Sequence, residues 1–253
     1  MLTRKPIEFY SNSSMSTFRR CTFRFWETYG YEGRSDGEQN EGMRLGSAGH
    51  MAFKAYYSGH STATALDWAY SEFNPVNRSD QDKFKHLTKV LQAYWLTYAT
   101  DNWKVVLLEQ EIKLGRLMMI VDAVIEDSYG RKYIVDHKFK KSLNTYHLDM
   151  DTQVSLYLYL ARELDWKVDG LLYNMIDTGK VGHYRREYCT RSNKYLDSFG
   201  ADLVTQIGVM DNFFLDPKPY RNQTEHCKWG CDLYQYCMDR LEQKPQSFVK
   251  LDR

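Results

Sequence analysis

Two apolar runs in the middle of the chain each lead into an acidic residue, and this pattern constrains the fold more than any other feature. Met118-Met119-Ile120-Val121 precedes Asp122, and Ile134-Val135 precedes Asp136. Side chains alternate in direction along a strand, so Asp136 and Lys138 should share one face, one pleat apart. Burying a carboxylate and an ammonium at the ends of apolar strands costs free energy. A protein that keeps both groups there is therefore expected to use them. The pattern predicts two strands that carry a functional site.

The register of these two strands is a hypothesis. Strands are predicted at about 117–126 and 131–138, with a five-residue loop at 127–131. Several registers are compatible with that loop. The one chosen here places Asp122 opposite Asp136, because it brings both carboxylates to the same face of the pair.

The rest of the chain predicts helices on both sides of a sheet. Apolar spacing and breaker residues predict helices at about 13–29, 43–58, 63–73, 80–100, 149–164 and 192–214, with a mobile glycine-rich loop at 30–42. The expected N-caps are Ser13, Ser14 or Ser16 for the first helix and Asp149 or Asp151 for the helix at 149–164. Further strands are expected at 105–114, 168–176 and 181–188. This order predicts an α/β fold in a single domain spanning 1–253, with a central mixed β-sheet flanked by helices. Residues 13–103 would form an N-terminal helical insertion, 104–190 the sheet core, and 191–253 a C-terminal helix and tail.

Composition restricts the location and partners of the protein only weakly. No apolar stretch approaches the roughly 20 residues that span a membrane, and the first residues lack the apolar run of a secretory signal. We therefore expect no membrane partner and a cytoplasmic location. The formal net charge of +1 neither supports nor excludes a nucleic-acid partner. Local basic groups are either a binding surface or a solvated face: Arg19, Arg20, Arg24, Lys138, Lys140 and Lys141.

Asp122, Asp136 and Lys138 have the chemistry that phosphodiester hydrolysis requires. A divalent metal held by carboxylates lowers the pKa of bound water and neutralises developing charge on the phosphate. Mg²⁺ needs few protein carboxylates because it keeps several waters. A nearby lysine can contact the attacking water or a phosphate oxygen. The alternative is a surface hairpin in which Asp and Lys form a weak ion pair.

Four segments occur in an order that carries a family resemblance. They are Gly46-Ser47-Ala48-Gly49-His50 at a predicted helix start, Asp122, Asp136-His137-Lys138 and Gln153-Val154-Ser155-Leu156-Tyr157. Together they resemble the motifs of the PD-(D/E)XK nuclease superfamily, and specifically those of the RecB-like exonucleases. The resemblance implies a restriction-endonuclease-like core. The implied ligands of a Mg²⁺ or Mn²⁺ ion are His50, Asp122, Asp136 and the backbone carbonyl of His137.

The same resemblance implies roles for the remaining residues and a reaction. Lys138 would assist the nucleophile, while Gln153 and Tyr157 would hold the DNA backbone near the metal. The implied function is a DNA exonuclease acting on single-stranded ends, with 5′ to 3′ polarity favoured. Its partner would be DNA, with recombination, replication or CRISPR-adaptation proteins as further candidate partners.

Each segment also has a simpler interpretation. A lone histidine after glycines is more often a packed or exposed helix residue than a ligand. Gln153 and Tyr157 share a helix face in either case, and Tyr157 could belong to the core. The alternative function is a non-catalytic nucleic-acid-binding or assembly subunit that retains the fold.

The five cysteines form a second distinctive pattern. Cys227, Cys231 and Cys237 crowd the C-terminal region, Cys21 lies far away in sequence, and Cys189 is interpreted as structural. An odd number argues against a disulfide framework, and clustered thiolates suit zinc or an iron–sulfur cluster. Zinc, a zinc-stabilised module without chemistry, and unrelated buried thiols are the alternatives.

The cysteine pattern resembles that of a subset of RecB-like exonucleases from phages and CRISPR adaptation systems. That resemblance implies a [4Fe-4S] cluster joining the two ends of the chain, bound by Cys21, Cys227, Cys231 and Cys237. The commoner family spacing has two residues between the first two clustered cysteines, whereas this sequence has three, Lys228-Trp229-Gly230.

Overall fold

A five-stranded mixed β-sheet forms the centre of the computed structural model, which describes residues 7–30 and 40–243. The strands follow one another in chain order: β1 (Lys104–Leu114), β2 (Leu117–Glu126), β3 (Lys132–Lys140), β4 (Gly170–Asp177) and β5 (Tyr184–Cys189). β3 and β4 are parallel, whereas β2 with β3 and β4 with β5 are antiparallel. The predicted α/β fold with a mixed sheet is confirmed.

Helices precede, interrupt and follow the sheet. They are α1 (Asn12–Arg20), α2 (Thr22–Tyr29), α3 (Glu41–Tyr57), α4 (Thr62–Phe73), α5 (Arg78–Thr97), α6 (Thr152–Glu163), α7 (Asn193–Leu215), α8 (His226–Gly230) and α9 (Tyr234–Leu241), with a 3₁₀ turn at Leu148–Met150. In the described part of the chain, every helix is too short or too polar to cross a membrane. α6 connects the two parallel strands β3 and β4, as a parallel pair requires a crossover.

The chain divides into two compact units. The first contains the described residues of Met1–Gln39, Gly115–Leu117 and Ala201–Arg253. The second contains Asn40–Leu114 and Met118–Gly200, and therefore holds α3 to α6 and nearly all of the sheet.

The register of β2 and β3 is the predicted one. Ala123 lies opposite Val135 and Val124 opposite Ile134. On the other side of β3, His137 pairs with Asn174 of β4. Asp122 and Asp136 therefore adjoin the same end of the paired stretch, next to the Ala123–Val135 pair.

The two faces of β3 meet different helices. His137 packs on the Phe53 ring of α3, with ring centroids 4.3 Å apart. On the other face, Asp136 contacts Gln153 of α6. The core beside α3 and α5 is built from large apolar side chains, among them Phe53, Phe73, Leu87, Leu91 and Tyr94. Strand alternation thus separates the neighbouring residues Asp136 and His137 into two environments.

α6 begins at a well-formed N-cap. The Asp151 carboxylate accepts hydrogen bonds from the backbone N–H groups of Gln153 and Val154, both at 2.9 Å. Sequence analysis names Asp149 or Asp151 as the cap, and the structure selects Asp151. Capping satisfies donors that have no partner within the helix, and it fixes Gln153 in the first turn.

Three sequence-based expectations near the first and third helices need correction. The helix predicted at 13–29 is two helices, because Cys21 adopts an extended backbone (φ −164°, ψ 110°) and its sulfur caps α2 by accepting from the Arg24 N–H. The cap of α1 is Ser11 instead of Ser13, Ser14 or Ser16. α3 begins at Glu41, so His50 lies in the middle of the helix and not at its start.

Two further boundaries differ from expectation. β5 begins at Tyr184, three residues later than predicted, because a turn that includes Gly182 at φ +76° precedes it. The loop predicted at 30–42 lies mostly outside the described residues. Its end is helical, since Asn40 caps α3 and the helix includes Glu41 and Gly42.

Gly49 generates a prediction about stability, because α3 approaches β3 closely at this residue. A Cβ at position 49 would lie 2.5 Å from the Phe139 ring, whereas a Cβ at Gly46 of the same helix would contact nothing within 4 Å. We expect Gly49→Ala to lower the free energy of unfolding by about 1–3 kcal/mol through overpacking. The matched control Gly46→Ala should stabilise by up to about 1 kcal/mol through helix propensity. Urea unfolding measures both, and equal effects would contradict the prediction.

Candidate active site

The candidate site centres on the Asp136 carboxylate, which is 3% exposed. The Lys138 ammonium donates to Asp136 Oδ1 and to Gln153 Oε1, each at 2.9 Å. The amide nitrogen of Gln153 lies 3.3 Å from both Asp136 Oδ1 and Tyr157 Oη. The Tyr157 hydroxyl donates to the Ile120 carbonyl of β2 at 2.8 Å. The structure therefore brings together four of the predicted catalytic residues on the α6 side of β3.

One oxygen of Asp136 has an unusual environment. Oδ2 lies 2.9 Å from the Lys138 nitrogen, but it is buried and accepts no hydrogen bond of acceptable geometry from the described residues. A buried carboxylate oxygen without a hydrogen bond costs free energy. It is also a hard oxygen donor of the kind that Mg²⁺ and Mn²⁺ prefer.

Asp122 is held separately from the Lys138 pair. Its Oδ2 accepts a hydrogen bond from the backbone N–H of His137 at 2.7 Å. Its Oδ1 lies 3.4 Å from Nδ1 of His50, in the middle of α3. The structure thus joins two predicted metal ligands directly, His50 and Asp122.

The environment shifts the pKa values of the two carboxyls in opposite directions. Burial raises the pKa of Asp136 to about 6, and the nearby Asp122 adds to the shift, while Lys138 opposes it. Burial also acts to raise the pKa of Asp122, but the hydrogen bond and charge of His50, together with the His137 amide, outweigh it and lower that pKa to about 2. For His50, the Asp122 carboxylate outweighs burial and raises the imidazole pKa. Asp122 is therefore the carboxyl of the site that stays ionised at mildly acidic pH.

The predicted metal ligands do not form one compact group. Across residues 7–30 and 40–243, no three His, Cys, Asp or Glu side chains are close enough together to hold an ion as they stand. His50 pairs with Asp122, whereas Asp136 pairs with Lys138. Two carboxylates and an imidazole still suit a hard divalent cation that keeps most of its waters, and Oδ2 of Asp136 accepts no hydrogen bond that the cation would have to replace. The metal-binding role of these residues, and that of the His137 carbonyl, stays a prediction.

The His137 ring lies on the opposite face of β3 from the Asp136 carboxylate. It packs on Phe53 and stacks on Tyr57, with centroids 5.5 Å apart and planes at 19°. Its Nδ1 lies 2.7 Å from the side-chain nitrogen of Asn174. Burial lowers the pKa of His137 to about 3, so the ring is neutral.

Two residues beside the site, Asn174 and Glu109, were not predicted from the sequence. Asn174 is fully buried and hydrogen-bonded to His137; as the one amide in the apolar strand Gly170–Asp177, it could have been recognised. Glu109 of β1 has a left-handed backbone (φ 49°), and burial followed by the Asp122 charge raises its pKa. Nothing in the local sequence distinguishes Glu109 from its neighbour Glu111.

The four predicted cluster ligands all lie in the first compact unit, as free thiols. The Cys21 thiol lies 3.7 Å from the Tyr220 carbonyl, and the Cys227 sulfur accepts from the Thr224 N–H at 3.4 Å. Together with Cys231 and Cys237 they do not gather into a set of three ligands. Cys189 lies in the second unit, where burial raises its pKa to about 11. As arranged, the four thiols do not form a cluster site.

Comparisons with known proteins concern the family and the fold of this chain. Residues 10–238 match the family model of the PD-(D/E)XK nuclease superfamily. A solved structure from Eubacterium rectale, provisionally named an exonuclease, is similar over 88% of this chain and 88% of its own, with a TM-score of 0.58 and 16% identity. The protein SSO0001 is similar over 76% of this chain and 84% of its own, at 14% identity and a TM-score of 0.31. No curated protein matches the sequence.

The buried neutral His137 predicts a pH dependence of stability. Its pKa in the folded protein lies below the unfolded value of about 6.5, so its contribution is complete above that pH and is lost as pH falls toward 3. Between about pH 7 and pH 4.5, we expect the wild type to lose about 2 kcal/mol more free energy of unfolding than His137→Gln. Urea unfolding in the presence of a chelator measures this. The exposed control His60→Gln should follow the wild type; an unchanged pH slope in His137→Gln would contradict the assignment.

Proposed function

Since this chain belongs to the PD-(D/E)XK nuclease superfamily, we propose that it is a divalent-metal-dependent DNA exonuclease acting on single-stranded ends. The superfamily supports nuclease activity with DNA as the substrate. The metal dependence, the preference for ends and the 5′ to 3′ polarity are our proposals. The sequence resemblance to the RecB-like exonucleases favours all three, whereas the provisional naming of the Eubacterium rectale protein favours only the preference for ends.

One observation carries the proposal: a buried carboxylate, Asp136, is bound by Lys138 and Gln153 beside a second carboxylate, Asp122. A buried ion pair of this kind is weak evidence for a purely structural role, because well-packed apolar residues would stabilise the fold as much or more. The buried Oδ2 of Asp136, which accepts no hydrogen bond from the described residues, adds to the free-energy cost of burying this carboxylate. Carboxyl groups whose pKa values are pushed apart are typical of catalytic sites.

Each residue of the site has a role that fits phosphodiester hydrolysis. A divalent cation, when bound, would lower the pKa of a water and neutralise charge on the phosphate. Asp122, Asp136 and His50 would hold it. The Lys138 ammonium, already fixed by two acceptors, would orient the attacking water or donate to a phosphate oxygen. The Gln153 amide would position the backbone of the strand. Tyr157, whose hydroxyl donates to the Ile120 carbonyl, would hold Gln153 in place beside it.

Basic residues near the end of β3 support an anionic substrate. The Lys138 and Lys140 ammonium groups lie 5.8 and 5.1 Å from the centre of the Tyr173 ring. Burial and the neighbouring Lys138 lower the pKa of Lys140, so the charge of Lys140 would be stabilised by a phosphate. Partner proteins from recombination, replication or CRISPR adaptation, and a cytoplasmic location, stay predictions.

The test uses two Asp-x-Lys pairs of the same chain. Asp136→Asn and Lys138→Ala should each lower Mg²⁺-dependent cleavage of single-stranded DNA by about 100-fold or more, because charge stabilisation at the phosphate is lost. Asp165 and Lys167 form the same spacing and also pair, but both side chains are about 80% exposed. Asp165→Asn and Lys167→Ala are therefore matched controls and should cleave like the wild type.

The mode of cleavage is measured in the same assay with end-labelled strands whose 5′ or 3′ end is blocked in turn. A blocked 5′ end should abolish digestion, a blocked 3′ end should not, and a chelator should stop cleavage. Full activity in both Asp136→Asn and Lys138→Ala, with unchanged circular dichroism, would refute the site.

For the cysteines we propose a [4Fe-4S] cluster bound by Cys21, Cys227, Cys231 and Cys237, with zinc as the alternative. The support is the sequence pattern and the fact that all four share one compact unit. The Cys21 sulfur contacts the Tyr220 carbonyl, and the Cys227 sulfur contacts Thr224 and the Asn222 carbonyl, so binding would require these two thiols to exchange those contacts for metal.

Anaerobic purification tests this proposal. The wild type should be brown, with iron and sulfide in equal amounts, and Cys21→Ser should lose both. The control Cys189→Ser should keep them, because Cys189 belongs to the other unit. A colourless protein with stoichiometric zinc would support the zinc alternative. A protein without either metal would contradict both the cluster and the zinc site.

A further inference from the structure

An aromatic pocket lies beside the candidate active site and has no role in the proposed chemistry. Its cavity is about 270 Å³, and its walls include Tyr56, Tyr57, Tyr94, Trp95, Tyr98 and Trp103. All six belong to the second compact unit. Protein cores are packed at crystal-like density, with few voids larger than one water. This cavity, by contrast, is partly open to solvent, so it is a surface pocket on the edge of the core that a flat ligand could enter.

Arg186 defines the electrostatics of this aromatic pocket. Its guanidinium lies 3.4 Å from the ring centre of Tyr98 and 4.3 Å from that of Trp103. It forms an ion pair with Asp101 at 2.7 Å and a hydrogen bond to the Tyr94 hydroxyl at 2.6 Å. A second cation is disfavoured because Arg186 already occupies the ring faces. An anion is disfavoured because Asp101 already neutralises the arginine. The pocket suits a neutral ligand.

The rings of the wall, more than its polar atoms, decide what the pocket can bind. Nε of Arg186 and Nε1 of Trp95 have no hydrogen-bond partner among the described residues, but both atoms are buried and do not meet a ligand. The Asp101 carboxylate is already paired with Arg186. A ligand that complements this wall is a flat, neutral ring that stacks on tyrosine and tryptophan. A nucleobase has these properties.

The pocket is connected to the candidate active site through a single ring. Tyr57, in the pocket wall, stacks on His137, and the His137 backbone N–H donates to Asp122. On the sheet below, His137, Asn174 and Arg186 lie side by side on β3, β4 and β5. This polar row runs from the aspartate pair to the pocket. The pocket and the site thus share His137, whose ring stacks on the pocket wall and whose backbone binds Asp122.

We propose that the aromatic pocket binds one unstacked nucleobase of a single-stranded DNA substrate. This inference rests on the proposed function, since it takes DNA as the substrate of the neighbouring site. Base stacking on aromatic side chains is tolerant of sequence, so the pocket would select unpaired strands without selecting a sequence. It would also explain a preference for single-stranded ends, because a paired base is not free to enter.

The experiment measures DNA binding by the full chain in a chelator, where no cleavage occurs. Fluorescence anisotropy compares a thymidine oligomer with the same oligomer built on stable abasic sugars. The wild type should bind the abasic strand about 10-fold more weakly or worse, because stacking is lost. Tyr56→Leu should bind both strands equally. The exposed control Tyr129→Leu should keep the wild-type preference.

A pocket-filling variant covers the case in which Tyr56→Leu does not fold. Val105 also lines the cavity, and Val105→Trp should occupy it and abolish the base preference while keeping phosphate-dependent binding. Equal binding of both strands by the wild type would overturn the proposal, as would a full preference in Val105→Trp. If the wild type cleaves DNA with Mg²⁺ but binds both strands equally, only the pocket proposal is overturned. A base preference without cleavage would support the pocket and overturn the nuclease proposal.

Discussion

The candidate site depends on keeping one ionisable carboxylate, that of Asp136, inside the protein. Removing such a group from water costs several kcal/mol, which the Lys138 ammonium and the Gln153 amide partly offset. These contacts also impose geometry. Gln153 must lie in the first turn of α6, where Asp151 caps the helix, and Tyr157 one turn later ties α6 to the β2 carbonyl of Ile120. A single buried charge therefore fixes one helix against two strands.

Strand alternation explains how the side chains of three consecutive residues face two different environments. Asp136 and Lys138 face α6, while the ring of His137 between them faces α3 and stacks on Tyr57. The His137 backbone meanwhile binds Asp122 through its N–H. Because one strand carries all of these contacts, a one-residue slip of β3 would exchange the two faces and remove both environments together. The paired register with β4, in which His137 lies beside Asn174, opposes such a slip.

Much of this arrangement could be predicted from the sequence because it depends on local rules. Strand alternation predicts the Asp136–Lys138 pair, and an acidic residue predicts the cap of α6. The loop alone allows several β2–β3 registers, and the correct one was chosen because it brings both carboxylates to one face. Other features depend on longer-range packing or unusual chemistry. Apolar spacing continues across Cys21, and a thiol is not a typical N-cap, so the break between α1 and α2 was not predictable. The aromatic pocket joins residues as distant as Tyr56 and Arg186, and with 20 tyrosines in the chain no pattern distinguishes those that line it.

The charges of the site are balanced in pairs, which has a consequence for a polyanionic substrate. Asp122, ionised by its contact with His50, also raises the imidazole pKa, and Asp136 is paired with Lys138. Two carboxylates alone would repel a phosphodiester, whereas the pairing of Asp136 with Lys138 and the contact of Asp122 with His50 reduce that repulsion. A divalent cation at these carboxylates would compete with Lys138 for the Asp136 oxygens, and His50 would have to be neutral to join it as a ligand. Cation binding would free the Lys138 ammonium to contact the phosphate, so that metal and substrate should bind more tightly together than either does alone.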